Sequence, residues 1–385
     1  MRRVIRLKDF FIFIFVFWYS TEILFNSTLI EIWGESFNGI NNRINLLVFG
    51  LLMCQILFFQ SYTRNEMLLI AAITIFVAIS TILSGQKTIM SSWMFIVAAK
   101  DADLDEIIRI AYKILWIMLA IIISICLLGF IENVTLMRGN VERFSLGFSH
   151  PNQLGLRIFQ LIACQCYVYR YRLRKRNYIY FFIMIIFLIR IPNSKTAYIV
   201  TSVLLGMLLL YEFIKVKKPE YMKLYEKGIL FGYVCLNIFS ILFSYIDVKS
   251  FFLLAKIDGW MSSRFSNCHK VWLMYGVPIF GQRIYVTEDE RKMAGIQSRI
   301  WLDNAYVNVL LRYGMVIFLI FSIAYFCLLK MLVLQKQYML AIILFLYALY
   351  GIMENGLYMI THNIFLIMFV ALLYRKPLWG NQRIG

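Results

Sequence analysis

The apolar residues of this chain come in blocks. Between short links, runs of about 15–25 hydrophobic residues recur along almost the whole length, enough to cross a bilayer core as helices rising roughly 1.5 Å per residue. Backbone N–H and C=O groups in hydrocarbon must be satisfied within the protein, which leaves helices or a closed barrel, and the runs lack barrel alternation. The sequence therefore predicts an all-α polytopic membrane protein, consistent with 61% hydrophobic and 16% charged residues among 385. Candidate spans are 9–25, 44–60, 67–84, 88–99, 110–131, 153–169, 177–191, 196–214, 228–246, 305–329, 338–353 and 363–374, about twelve in all. Residues 1–385 read as one integral membrane domain, interrupted by a polar segment at 247–303 between spans nine and ten.

Sidedness follows from Lys and Arg near the span ends. Arg2, Arg3, Arg6 and Lys8 precede the first span; five basic residues fill Arg170 to Arg176 and five more Lys215 to Lys227; Arg375, Lys376 and Arg383 follow the last span. With about twelve spans all of these share one side, which predicts cytoplasmic termini and an outer 247–303 loop. The first span, with no small-residue cleavage site, reads as a retained anchor. The net charge of +18 then reflects the positive-inside bias and anionic inner-leaflet lipids rather than nucleic acid. Seven cysteines form no disulfide framework and no metal spacing.

Polar residues at the predicted outer ends carry the chemical signal. The stretch Gly147 to Gly155 centres on His150-Pro151-Asn152, with Pro151 suited to a helix's first turn. Gln153 and Arg157 then share a helical face. Arg190 and Lys195 bracket a short turn at headgroup depth, where snorkelling to lipid phosphate is the plain alternative. The long loop holds Arg264, His269, Lys270, Arg283, Arg291, Lys292 and Arg299, interleaved with Trp260, Trp272, Tyr275, Tyr285 and Trp301. Aromatic rings stack on sugar faces, and guanidinium groups grip phosphates in a fork.

At the loop's end Asn304, Asn308 and Arg312 recur every four residues, and Asp303 stands where an N-cap belongs. Glu354, Tyr358 and His362 repeat the same spacing, a single file of carboxylate, phenol and imidazole if that turn is helical. Asp101-Ala102-Asp103-Leu104-Asp105-Glu106 lacks the glycine and final glutamate of a Ca²⁺ loop and reads as a helix start.

Taken together, these pieces resemble the O-antigen polymerase and ligase superfamily of bacterial surface-polysaccharide assembly, particularly its Wzy-type repeat-unit polymerases. The resemblance extends across the chain. It rests on the multi-span layout with one large late loop, on Gly147 to Gly155, on Ser194-Lys195-Thr196, on Ser263-Arg264 leading through Trp272 to Pro278-Ile279-Phe280-Gly281, and on Asp303-Asn304-Ala305-Tyr306 through Gly314. Family ligases carry His-Asn where this chain has Asp303-Asn304, which argues against lipid A ligase activity.

The resemblance implies a glycosyltransferase in the bacterial cytoplasmic membrane. It would polymerise undecaprenyl-pyrophosphate-linked oligosaccharide units at the outer face for capsule or surface polysaccharide. Asp303 or Glu354 would act as general base. Arg157, Lys195, Arg264 and Arg312 would neutralise charge on the leaving pyrophosphate, and His150, Asn152, His269, Asn304 and His362 would complete the substrate site. No metal or other cofactor is required; membrane lipids and a separate chain-length regulator are the further partners. The alternatives are a flippase or transporter of the same lipid-linked unit, or an O-antigen-type ligase. A transporter's polar groups would sit at mid-membrane in broken helices.

Overall fold

The computed structural model describes residues 7–28, 35–171, 173–285 and 301–375. The sequence readings at Arg2, Arg3, Arg6, Arg172, Arg291, Lys292, Arg299, Lys376 and Arg383, and the side chain of Lys8, lie outside the described residues. Helices dominate. Among the described residues, six are long and apolar enough to cross a membrane: Gly39–Phe59, Arg64–Ser84, Leu104–Leu127, Lys195–Lys217, Pro219–Tyr245 and Met315–Leu334. Tyr338–Tyr350 and Ile364–Leu373 are apolar but shorter.

Local chemistry explains several boundaries. Thr63 opens the Arg64–Ser84 helix with a capping box, its hydroxyl accepting from the Glu66 N–H while the Glu66 carboxylate accepts from the Thr63 N–H, and Gly85 closes it at φ 70°. Asp103 caps Leu104–Leu127 through the N–H groups of Asp105 and Glu106, so the acidic run is a helix start. His150 caps Pro151–Val168, with Pro151 in the first turn.

Two backbone features went unmarked in the sequence reading. The 305–329 block is not one helix: Ala305–Asn308 passes into a wide turn at Val309–Tyr313, Gly314 breaks the run, and Met315–Leu334 begins afresh. An antiparallel hairpin, Thr135–Arg138 with Val141–Phe144, turns at Gly139-Asn140 with Gly139 at φ 60°. A Gly-Asn pair between two extended runs is a hairpin signal, since the tight turn needs positive φ.

Close contacts divide the chain into two compact units. One comprises residues 1–62, 94–216 and 360–385; the other comprises 63–93 and 217–359. In the first, Leu104–Leu127 is central, packing on Leu7–Phe25, Pro151–Val168 and Ile364–Met368. Phe11, Phe15, Phe95, Ile107, Leu115, Phe159 and Phe365 fill its core. Gly155 is required there, because a Cβ would lie 2.5 Å from the Ser194 side chain.

In the second unit, Met222–Tyr245 packs on Arg264–Tyr275, Met315–Leu334 and Tyr338–Tyr350. Its polar segment is folded where described: a short turn at Val248–Ser250, helices Phe252–Trp260 and Arg264–Tyr275, then irregular chain to Tyr285. Phe251, Phe252, Leu253 and Trp260 are exposed, with Lys249 and Lys256 among them. That mixture suits a helix lying in a membrane interface.

Candidate functional site: an arginine between two carboxylates

In the second unit the chain brings three of the expected site residues together. The Arg264 guanidinium donates from Nη2 to Glu354 Oε1 at 2.9 Å, and its Nη1 lies 3.3 Å from Asp303 Oδ2. The Arg264 side chain is 9% exposed, Glu354 22% and Asp303 38%, so the group opens outward through Asp303. Burial works against the Arg264 cation, but the Glu354 and Asp303 carboxylates outweigh it and raise its pKa. One guanidinium and two carboxylates leave the cluster one negative charge in excess.

Each member is held from its own backbone. Arg264 opens its helix after Ser262 and Ser263, both left-handed at φ 63° and 59°. Two successive non-glycine residues there are strained and persist only where surroundings dictate them. Asp258, 2% exposed, supplies that constraint: its carboxylate accepts from the N–H groups of Phe265 and Ser266, and its carbonyl accepts from the Ser263 N–H. Asp258 thus aims Arg264.

Asp303 is aimed by its neighbours too. The Asn308 and Asn355 amides both donate to the Leu302 carbonyl, at 3.2 and 2.6 Å. Asn304, fully buried, is the N-cap of Ala305–Asn308, its side chain accepting from the Tyr306 and Val307 N–H groups. The expected cap was Asp303. With Asn304 in that role, the Asp303 carboxylate is left to Arg264. Glu354 follows Met353 in extended backbone, and the turn Asn355–Tyr358 is a 3-10 turn that ends at an extended Met359. Glu354, Tyr358 and His362 therefore do not form a helical file.

Arg312 lies in the wide turn before Gly314, its Nη2 3.5 Å from the Ile284 carbonyl; the turn breaks its four-residue register with Asn304 and Asn308. Wide turns of this kind recur at functional sites. His269, partly buried on the Arg264–Tyr275 helix, comes within electrostatic range of Asp247. Burial pushes the nearby Cys268 thiol up to about 12, so it stays protonated.

The remaining residues belong to the first unit. Arg157 is fully buried; its Nη1 donates to Gln160 Oε1 and to the Thr361 carbonyl, both at 2.8 Å, and the Gln160 amide donates to the same carbonyl. Tyr19 and Glu22 lie within its electrostatic reach. His362 is desolvated by its surroundings and repelled by Arg157, which lowers its pKa to about 3 and keeps the imidazole neutral at pH 7.

His150 accepts from the Asn152 N–H through Nδ1 at 3.0 Å, and Asn152 accepts from Arg143. Arg143, 4% exposed, also donates to the Pro192 carbonyl. The sequence reading missed it because it sits in the hairpin that hydropathy does not mark. Lys195 starts its helix close to the charge of Arg138, which donates to the Asn193 carbonyl.

The sequence reading also missed Asp258, which lies near the end of the Phe252–Trp260 helix, six residues ahead of Arg264 across the Ser262-Ser263 turn. Chemically, the Arg264 group joins proton-accepting carboxylates to an anion-binding fork. Among the described residues, no three His, Cys, Asp or Glu side chains converge as a metal site would require. No protein-family model, curated protein or solved structure matches the chain.

Proposed function

We propose that this protein polymerises undecaprenyl-pyrophosphate-linked oligosaccharide repeat units at the outer face of a bacterial cytoplasmic membrane, as a membrane-embedded glycosyltransferase. The topology that goes with this reading has about twelve spans, cytoplasmic termini and an outer 247–303 segment. One observation carries it: Arg264 and Asp303, from two separated stretches that resemble polymerase motifs, converge with Glu354 on a single ion-paired group. Glycan transfer from a pyrophosphate carrier calls for such a pairing. A carboxylate takes the proton of the incoming hydroxyl as the anomeric carbon becomes oxocarbenium-like, and a guanidinium balances charge on the departing pyrophosphate. Asp303, the more exposed carboxylate, is the better placed general base; Glu354 holds the arginine.

The flippase reading draws less support. Transporters place their working polar groups near the membrane midplane in broken helices; Arg312 does lie in such a break, but Arg264 and Asp303 belong to the long polar segment itself. Gel analysis of lipid-linked glycans from cells with the wild type, a deletion or Arg264→Ala tests the proposal. The deletion should accumulate single repeat units on the outer leaflet, and the variant should lose polymer while its membrane level persists. Units trapped on the inner leaflet would instead identify a flippase, and full-length polymer from the variant would remove Arg264 from the site.

A further inference from the structure

The two arms of Arg264 are unequal. Nη2 makes a well-formed hydrogen bond to Glu354, whereas Nη1 is shielded from solvent and makes no hydrogen bond among the described residues, although Asp303 Oδ2 is 3.3 Å away. A buried guanidinium nitrogen in ion-pair range but without an aligned acceptor is poorly satisfied. Among the described residues Arg264 is also the ion-pair partner of the Asp303 carboxylate. Asn304 has taken over the cap, and the Asp303 backbone follows a carbonyl pinned by two amides. The side chain can therefore swing without unravelling the helix start.

We infer that Asp303 is an internal stand-in for a phosphate oxyanion: an anionic ligand takes its place on Arg264 Nη1 and so frees the Asp303 carboxylate. Glu354 keeps hold of Nη2, so the fork remains oriented while one acceptor is exchanged for another. A phosphate oxygen aligned with the fork satisfies the N–H that Asp303 leaves unmet. The exchange converts a carboxylate tied up in an ion pair into one available to a hydroxyl proton, only when the anion is in place. That the oxyanion belongs to a lipid-linked pyrophosphate rests on the polymerase reading; the exchange itself does not.

Binding of inorganic pyrophosphate to the full chain in phosphatidylcholine nanodiscs tests the exchange. Asp303→Asn removes the competing acceptor and should tighten binding by about three- to tenfold, the range expected for releasing one partly buried ion pair. The gain should vanish in an Arg264→Lys background, which keeps the charge but not the fork. Asp247→Asn, an exposed carboxylate outside the group, controls for general loss of negative charge and should change little.

Repeating the titration in nanodiscs containing phosphatidylglycerol separates sources of the oxyanion. A site lost there is occupied by bulk lipid headgroups, and a site retained prefers pyrophosphate; either outcome supports exchange. Unchanged or weaker binding in a folded Asp303→Asn protein would overturn it, as would an equal gain in the Arg264→Lys background or in the Asp247→Asn control. Tighter binding by Asp303→Asn, together with lipid-linked glycans that do not differ between wild-type and deletion cells, would leave the exchange standing and remove the polymerase reading.

Discussion

At the scale of single residues, the sequence located the candidates but not their partners. Asp303 and Asn304 are adjacent and both cap helices well, so composition cannot say which does so; the structure gives the cap to Asn304 and the ion pair to Asp303. Arg264 and Glu354 meet across 90 residues, a pairing no local pattern encodes. Arg157 was expected at the outer end of its span and is fully buried against Gln160 and Thr361. His362 beside it yields a pH prediction. Its pKa falls from 6.5 in the unfolded chain to about 3 in the folded one. Between those values the unfolded state binds the proton and the folded state does not. Stability is therefore full above about pH 6.5 and declines as pH falls toward 3. His362→Gln should flatten that acid limb of the thermal unfolding curve in detergent, and an unaltered limb would assign it to other groups.

At the scale of elements, apolar runs were legible because burial in lipid imposes length and hydropathy, and helical backbone lies in each. The break inside 305–329 was not, since hydropathy is blind to backbone contact. Gly314, at φ 92°, admits no Cβ: one would fall 2.6 Å from both the Gly281 nitrogen and the Ile279 carbonyl oxygen. The Met315 and Val316 N–H groups donate to the carbonyls of Pro278 and Ile279, and the Gln282 N–H to that of Arg312. Pro278-Ile279-Phe280-Gly281 and Gly314, noticed separately in the sequence, are thus two halves of one backbone junction. Gly314→Ala should cost about 3 kcal/mol or more through left-handed strain and overlap together. Gly206→Ala, where a Cβ meets nothing within 4 Å inside a helix, should gain up to about 1 kcal/mol. Unfolding of the purified variants in detergent compares the two, and similar values for both would discard the junction.

At the scale of the whole molecule, each unit is assembled from separated stretches of chain, and neither could be cut out as one continuous piece. Hydropathy orders the spans along the chain but does not assign them to units. Removing 360–385 takes from the first unit the Thr361 carbonyl that Arg157 and Gln160 share, leaving a buried cation short of an acceptor. Hydrogen exchange should show the Pro151–Val168 helix losing protection while the Arg264–Tyr275 helix keeps its own; uniform loss in both would make the truncation a global defect. Arg157 precedes its Thr361 acceptor by 204 residues. On the ribosome, the cation is therefore made long before the carbonyl that will hold it. Until then only part of its acceptor set exists, so the first unit cannot complete this contact before residue 361 has been translated.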